Sequence, residues 1–180
     1  MPERRPDLIP AWVDDTLTPV DKLRAHQEGL RHKAVSVFVV QGREILMQRR
    51  AMGKYHTPGL WANTCCTHPH WNEDALSCAQ RRLGEELGLP IIALEKRDRV
   101  EYRADVGGGL IEHELVDIFV GALPPQIEPT PNPDEVVDIA WMDLDGLSAR
   151  VKAAPQSFTP WLRIYLEEHA AKIFGADAKV

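Results

Sequence analysis

Residues 72–87 have the sequence pattern of a helix, and their charged side chains have the most informative spacing in the chain. Glu73 is followed, after seven residues, by the run RRLGEELGL. In this run Arg81 and Glu85 are four residues apart, as are Arg82 and Glu86, so each pair shares one helix face. Two adjacent carboxylates near a helix C-terminus oppose the macrodipole, and a hard cation such as Mg²⁺, shared with phosphate oxygens, would offset that cost. A solvated charged helix face gives the same spacing, and this segment alone favours neither interpretation.

Two other segments place potentially reactive side chains two residues apart. Cys66 and His68 do so in NTCCTHP, residues 63–69, and Glu112 and Glu114 do so in the segment EHE. In an extended chain such pairs point to the same side. Two carboxylates this close repel each other, and a bound cation commonly offsets this repulsion.

Two histidines upstream, His26 and His32, complete a possible metal-binding set. Three imidazoles and two carboxylates would suit Mn²⁺, Zn²⁺ or Fe²⁺ in roughly octahedral coordination. Each part has an ordinary alternative, because a lone histidine is more often a surface residue and Cys66 can be a small buried hydrophobe. The coincidence of the clusters with the charged helix favours a metal site.

The helix and the residues before it resemble the Nudix box. Its pattern is a glycine, five residues, a glutamate, seven residues and then Arg-Glu-x-x-Glu-Glu-x-Gly. Thr67 stands here in the place of the glycine, and Arg82 in the place of the glutamate of the Arg-Glu pair. The resemblance implies a diphosphate-binding fold, whereas the loss of one carboxylate weakens the case for the hydrolysis that ordinary Nudix enzymes perform.

Five segments together resemble the type 1 isopentenyl-diphosphate isomerases: NTCCTHP, the altered Nudix box, EHE, QRRA at 48–51 and FTPW at 158–161. The resemblance covers roughly residues 20 to 165. It implies an enzyme that interconverts isopentenyl and dimethylallyl diphosphate for isoprenoid biosynthesis. It also implies a Nudix-like α-β-α sandwich with a mixed sheet.

The resemblance also implies a role for each residue that matches a family motif. The implied catalytic residues are Cys66, Glu114 and Tyr102, and the implied substrate-binding residues are Lys22, Arg50, Lys54 and Trp161. The implied ligands of one tightly held Mn²⁺ or Zn²⁺ are His26, His32, His68, Glu112 and Glu114. Glu86 is implied to hold Mg²⁺ together with the substrate diphosphate. The interval from His26 to His32 is one residue shorter than in bacterial members of the family.

The implied reaction shifts a proton across three carbons of an unactivated alkene, so its transition state has carbocation character. The site therefore needs an acid and a base on opposite sides of a thin, dry pocket. Cys66 and Glu114 suit these two positions, and the π face of Trp161 would stabilise the cation by about 2 kcal/mol or more. The sequence leaves open which of the two protonates first.

Two other functions compete with isomerisation. A Nudix diphosphate hydrolase acting on a nucleotide would need neither Cys66 nor the Glu-x-Glu strand, and would need a carboxylate at Arg82. A non-catalytic Nudix-like binding protein would have disrupted metal and proton-transfer positions, whereas every one is filled here.

The elements that must position these residues alternate between strands and helices. Residues 34–40 predict a buried strand, Gln41-Gly42 a turn and 44–49 its hairpin partner. A helix is predicted from Asn72, as N-cap, to Leu87, with Gly88 ending it. Further strands are predicted at 98–104, 110–121 and 136–141, a proline-rich loop at 123–134, and helices from Asp143 and over 160–173. The hairpin-length connections indicate an α+β class rather than a βαβ winding.

Composition limits the remaining possibilities. The length of 180 residues predicts a single compact domain over 1–180, with a Nudix-like core at about 30–165. A net charge of −6 argues against binding to nucleic acid. No apolar run has the length of a signal peptide or a membrane span, and three cysteines suggest no disulfide framework. We therefore expect a cytoplasmic enzyme whose partner is a small isoprenoid diphosphate, with no membrane partner; the oligomeric state stays open.

Overall fold

One mixed sheet of nine strands organises the computed structural model, which describes residues 7–175. The strands are β1 (Leu8–Val13), β2 (Thr16–Asp21), β3 (Arg31–Gln41), β4 (Glu44–Arg50), β5 (Trp61–Ala62), β6 (Cys65–Thr67), β7 (Glu95–Gly107), β8 (Leu110–Ala122) and β9 (Val136–Asp143). Strand β3 lies at the centre, paired parallel with β8 on one side and antiparallel with β6 on the other. The predicted strands are confirmed, each somewhat longer than expected. Both ends of the predicted domain, residues 1–6 and 176–180, lie outside the described residues.

The helices lie on both faces of this sheet. They are α1 (Lys22–Glu28), α2 (Ala75–Leu87), α3 (Leu144–Ala153), α4 (Pro160–Ile164) and α5 (Ala170–Phe174). A single π-helical turn, Tyr165–His169, joins α4 to α5, so the helix predicted over 160–173 is continuous but locally widened. No helix of residues 7–175 is long and apolar enough to span a bilayer.

Strand β3 shows why the predicted α-β-α sandwich forms. Its alternate residues Val35, Val37 and Val39 pack in the core beneath α2. Ala34 and Phe38, at positions of the opposite alternation, pack in the core beneath the C-terminal helices. Successive side chains of a strand point to opposite faces, so a continuous apolar run is what a sheet covered on both faces requires. The predicted α+β class is confirmed.

The predicted start of α2 is wrong by a few residues. The helix begins at Ala75, and its N-cap is Asp74, whose side chain accepts a hydrogen bond from Ser77 N at 3.0 Å. Asn72 instead adopts a left-handed backbone with φ of 68°, which asparagine tolerates better than most residues. Gly88 ends the helix in the left-handed conformation, as predicted.

The N-terminal hairpin and α1 were not predicted from sequence. Asp14 and Asp15 join β1 to β2 with positive φ values of 48° and 61°, as a tight hairpin turn requires. The pair Asp-Asp is a weaker turn signal than Asn-Gly or Asp-Gly. Asp21 then caps α1, accepting from Leu23 N at 3.0 Å, and this places His26 beside the sheet.

The proline-rich loop covers the C-terminal end of α2. Thr130 N donates to the carbonyl of Leu87 at 2.7 Å, and Asn132 N to that of Glu86 at 2.9 Å. These bonds satisfy helix-end carbonyls that would otherwise lack a partner. The loop approaches so closely that a Cβ on Gly88 would lie 2.9 Å from Thr130 O.

We therefore expect Gly88→Ala to lower the free energy of unfolding by about 2–4 kcal/mol, combining left-handed strain with overpacking. Gly42→Ala is the matched control, because Gly42 also has a positive φ, 59°, but nothing lies within 4 Å of an added Cβ. The free energy of unfolding of Gly42→Ala should fall only by the cost of left-handed backbone strain, about 1–2 kcal/mol. Urea denaturation of both variants checks this, and equal losses would mean that the loop contact contributes nothing.

Candidate active site

One pocket brings together residues that the sequence places far apart. Nine of the predicted site residues line it: Lys22, Arg50, Lys54, Cys66, His68, Tyr102, Glu112, Glu114 and Trp161. The remaining predicted residues, His26, His32 and Glu86, are buried. Tyr55, His56 and Arg82 also line this pocket, although no role was predicted for them in binding or catalysis.

Strand β6 directs the two adjacent cysteines to opposite faces of the sheet. Cys65 pairs with Val37 and is fully buried in the core beneath α2. Cys66 pairs with Ser36 and faces the pocket, where its Sγ donates to Asn63 Oδ1 at 2.9 Å. Burial raises the pKa of the Cys66 thiol, so the sulfur carries a proton in this structure.

Asn63 connects the thiol to the predicted aromatic residue. Its Nδ2 donates to the carbonyls of Val37 at 3.0 Å and Cys65 at 3.2 Å, which determines the orientation of the amide. Its Oδ1 therefore faces Cys66 and also accepts from Trp161 Nε1 at 3.2 Å. Asn63 begins the NTCCTHP motif, so the signal was present in the sequence, but no role was assigned to it.

Ser36 contacts the thiol from the other side. Its Oγ lies 3.3 Å from Cys66 Sγ and 2.9 Å from the hydroxyl oxygen of Tyr165. Both residues are buried, and Tyr165 begins the π-helical turn. Ser36 was missed, although a single polar residue in the apolar run 34–40 could have indicated a functional position.

The two carboxylates face the pocket from β8 and share one tyrosine. Tyr102 pairs with Glu114 across β7 and β8, and its hydroxyl lies 2.7 Å from Glu112 Oε2 and 2.8 Å from Glu114 Oε2. Burial, followed by these carboxylates, raises the pKa of Tyr102. One phenolic proton can be donated to only one carboxylate at a time, so buried negative charge remains to be balanced.

Three histidines face these carboxylates, and two have a defined tautomer. His26 Nδ1 lies 2.7 Å from Lys22 O, and His32 Nδ1 lies 2.7 Å from Leu30 O. A carbonyl only accepts, so each Nδ1 carries a proton and each Nε2 presents a lone pair. Burial and the neighbouring His32 lower the pKa of His26 to about 4. Burial and adjacent histidines likewise lower the pKa of His68.

These donors fit a divalent metal. Donor atoms of His26, His32, His68 and Glu114 lie within 4.8 Å of one another. His68 Nε2 is 2.9 Å from Glu114 Oε1, and His32 Nε2 is 3.5 Å from the same oxygen. Adjacent ligands of an octahedral ion bound at about 2.1 Å are about 3.0 Å apart. The buried Nε2 of His32 has no hydrogen-bond partner, as expected of a metal ligand. The shorter His26–His32 interval does not remove His26 from this group.

Glu112 belongs to a second, overlapping group. Its carboxylate lies within 4.8 Å of donor atoms of His26 and His56. The five predicted metal ligands therefore fall into two groups that share His26, and His56 is an additional buried histidine that sequence reasoning missed. Its position in the Gly- and Pro-rich loop after β4 carried no spacing signal.

The predicted diphosphate-binding cations form the wall of the pocket. Arg50 Nε and Nη2 donate to the carbonyls of Thr57 and His56, each at 3.2 Å, which holds the guanidinium in place. Burial lowers the pKa of Lys54 to about 8 and also lowers the pKa of Lys22. An anion entering the pocket would favour the charged forms of both lysines.

The adjacent carboxylates of α2 differ in environment. Glu86 is only 2% exposed and accepts from Gln48 Nε2 at 2.8 Å and Arg82 Nη2 at 2.5 Å. Glu85 is exposed and pairs with Arg81 at 3.0 Å. Arg82, in the place of the Nudix-box glutamate, therefore supplies positive charge beside Glu86, and only Glu85 behaves as a solvated helix-face residue.

Comparison with known proteins agrees with this geometry. The NUDIX domain family matches residues 30–162. The chain is 62% identical to the isopentenyl-diphosphate Delta-isomerase of Dinoroseobacter shibae over 172 residues, 96% of this chain and 98% of the relative. It is 63% identical to the protein of the same name from a Jannaschia species, over 92% of this chain and 94% of the relative.

Solved structures with a similar fold include Nudix hydrolases. The crystal structure of DR0079 from Deinococcus radiodurans superimposes with a TM-score of 0.69 at 16% identity, covering 88% of this chain and 96% of that chain. A MutT NUDIX hydrolase from Burkholderia pseudomallei has a TM-score of 0.60 at 24% identity, covering 77% of this chain and 98% of that chain. Such identities indicate a shared fold only. The family match and the isomerase relatives together show that this chain belongs to the type 1 isopentenyl-diphosphate Delta-isomerase family of the Nudix superfamily.

Proposed function

We propose that this enzyme interconverts isopentenyl diphosphate and dimethylallyl diphosphate, as the names of its relatives state for those proteins. The observation that carries the proposal is that Cys66, Glu114 and Trp161 line one buried pocket together with cationic residues. Strands β6 and β8 lie on opposite sides of β3, so Cys66 and Glu114 approach the pocket from different sides.

The chemistry requires one proton to be added and another removed. The π electrons of the terminal double bond form a C–H bond at the terminal carbon, leaving positive charge at the tertiary carbon. A C–H bond of the neighbouring methylene then breaks, and its electrons form the new double bond. Cys66 and Glu114 are the proposed donor and acceptor, with their roles exchanged in the reverse direction.

The surrounding residues orient the Cys66 thiol and the Glu114 carboxylate. Asn63 and Ser36 orient the thiol, and Tyr102 holds the Glu114 carboxylate. Trp161, held through Nε1, can present its π face to the developing cation. The proposed ligands His26, His32, His68, Glu112 and Glu114 would hold a Mn²⁺ or Zn²⁺ ion, which would supply positive charge that keeps Glu114 ionised and in place.

Substrate anchoring is proposed for Lys22, Arg50 and Lys54, and Glu86 would hold Mg²⁺ together with the substrate diphosphate. Binding energy from the diphosphate would fix the carbon skeleton for proton transfer. The described cysteines are free thiols, and catalysis by Cys66 needs a reduced thiol. We therefore also propose that the enzyme works in a reducing compartment, the cytoplasm.

Incubation with isopentenyl diphosphate and Mg²⁺ tests the activity directly. We expect dimethylallyl diphosphate to accumulate to an equilibrium that is also reached from the other side, without release of phosphate. Release of inorganic phosphate or diphosphate would favour a Nudix hydrolase, despite the arginine at position 82. Binding of the substrate without any turnover would favour the non-catalytic binding protein.

Glu86→Gln should weaken Mg²⁺-dependent substrate binding by about 10-fold or more, since Mg²⁺ is held mainly by carboxylate and phosphate oxygens. The tightly held metal should remain, because Glu86 is outside both groups of metal donors. Calorimetric titration of substrate at several Mg²⁺ concentrations and metal analysis measure the two effects. Glu85→Gln is the control, since that neighbouring carboxylate is exposed. Loss of the tight metal with an unchanged Mg²⁺ response would contradict the division between the two sites.

A further inference from the structure

His56 is a buried histidine without a hydrogen bond at its inward-facing nitrogen. It is 5% exposed, and its Nε2 lies 3.0 Å from Glu112 Oε1. The distance is short, but the direction of the ring N–H does not suit a hydrogen bond, so Nε2 has no partner. A buried polar atom without a partner is costly, and this one lies in the same pocket as three of the proposed metal ligands, His68, Glu112 and Glu114.

The surrounding loop holds the imidazole in this position. His56 Nδ1 lies 2.9 Å from Thr57 Oγ1, and Thr57 has a φ of 47°. A positive φ is strained for a β-branched residue and persists only where neighbouring contacts impose it. Arg50 provides such contacts by donating to the carbonyls of both loop residues. The strained turn thus directs Nε2 towards the carboxylate.

The spacing of His56 and Glu112 matches that of two adjacent ligands of one ion. Nε2 of His56 and the nearest Glu112 oxygen are 3.0 Å apart, the separation of about 3.0 Å expected for adjacent ligands in an octahedron. Glu112 and His56 form one group with His26, which also belongs to the group of His32, His68 and Glu114. The donor atoms of the two groups do not all lie within 4.8 Å of one another, so an ion bound by both groups would draw them closer together. In the Nδ1–H tautomer, the ring donates to Thr57 and presents the Nε2 lone pair, the usual arrangement of a ligating histidine.

We propose that His56 is a sixth protein ligand of the tightly held divalent metal, entering beside Glu112. The proposal rests on the metal centre of the proposed function, but not on isomerisation itself. The ligands are then His26, His32, His56, His68, Glu112 and Glu114. Six protein donors fill an octahedron, so no position remains for water or substrate, in contrast to catalytic metals with an open site. The ion would hold Glu114 and its charge in place without binding the substrate.

Water relaxation in the Mn²⁺-loaded enzyme tests this without any substrate. We expect the water-proton relaxivity of the wild type to remain at the outer-sphere level, because no water is bound to the ion. His56→Ala should gain one exchangeable inner-sphere water, and its Mn²⁺ dissociation rate should rise by at least about 10-fold. The control is His70→Ala, which removes a histidine whose side chain is 57% exposed and should change neither quantity.

Two results would overturn the proposal. One is a full inner-sphere water in the wild-type enzyme, a measurement that does not depend on the folding of any variant. The other is a folded His56→Ala protein with unchanged relaxivity and an unchanged Mn²⁺ dissociation rate. That result would mean that His56 contacts Glu112 without binding the metal. Neither measurement involves isomerisation, so an enzyme without isomerase activity could still confirm the six-ligand centre.

Discussion

Cys66→Ser is expected to slow isomerisation by about 10²- to 10⁴-fold, the usual contribution of a positioned acid or base. The hydroxyl fits the space and can donate to Asn63 as the thiol does, but it is far less acidic and less polarizable than a thiol. In heavy water the wild type should incorporate deuterium into the terminal methyl of the product, and the variant should do so very slowly. Glu114→Gln should give a similar loss, because the amide preserves the shape and removes the base.

Cys65 provides the matched control within the same motif. Its side chain is fully buried on the opposite face of β6, so its replacement should leave the rate almost unchanged. In Cys65→Ser, a serine hydroxyl without a partner in the core would cost about 1–3 kcal/mol of stability. Cys65→Ala is therefore the better control for activity.

The opposite pattern would reject this assignment. If Cys66→Ser kept its activity and Cys65→Ala lost it while remaining folded, the wrong cysteine would have been chosen. If both kept full activity, thiol catalysis would be excluded, and Glu114 with Tyr102 would have to carry both proton transfers.

The second large effect concerns the tightly held metal. His68→Ala and Glu112→Ala should each lose most of the approximately one equivalent of transition metal or zinc expected in the purified enzyme. Loss of the metal leaves the remaining buried carboxylate charge without a cation to balance it. Because the metal binds only the folded state, its loss should also lower the melting temperature. Elemental analysis and thermal unfolding measure both consequences.

His113→Ala is the control for this prediction. His113 lies between the two glutamates on β8, but its side chain points to the other face and contacts Glu101 at 3.2 Å. Its replacement should retain the metal and the melting temperature. Full metal retention in His68→Ala and Glu112→Ala would exclude both residues from the site.

Local sequence patterns were sufficient for much of the fold. The apolar run in β3 and its hairpin with β4 follow from short-range periodicity and turn residues, and Gly88 is a helix-ending signal that acts locally. The start of α2 was misplaced because Asn72 and Asp74 are both acceptable caps by residue type. Only the backbone conformation of Asn72 decides between them, and that conformation depends on the packing of the preceding loop.

The order of amino acids is enough to specify which residues are available for chemistry and how neighbouring side chains alternate along a strand. Cys66 and Cys65 point to opposite faces, and Glu112 and Glu114 share a face, because side chains in a strand alternate. Contacts between residues that are distant in sequence are visible only in the folded protein. Ser36 contacts Tyr165, Asn63 contacts Trp161, and His56 reaches Glu112. Such contacts depend on strand register and on the packing of helices and loops against the sheet, which no local pattern specifies.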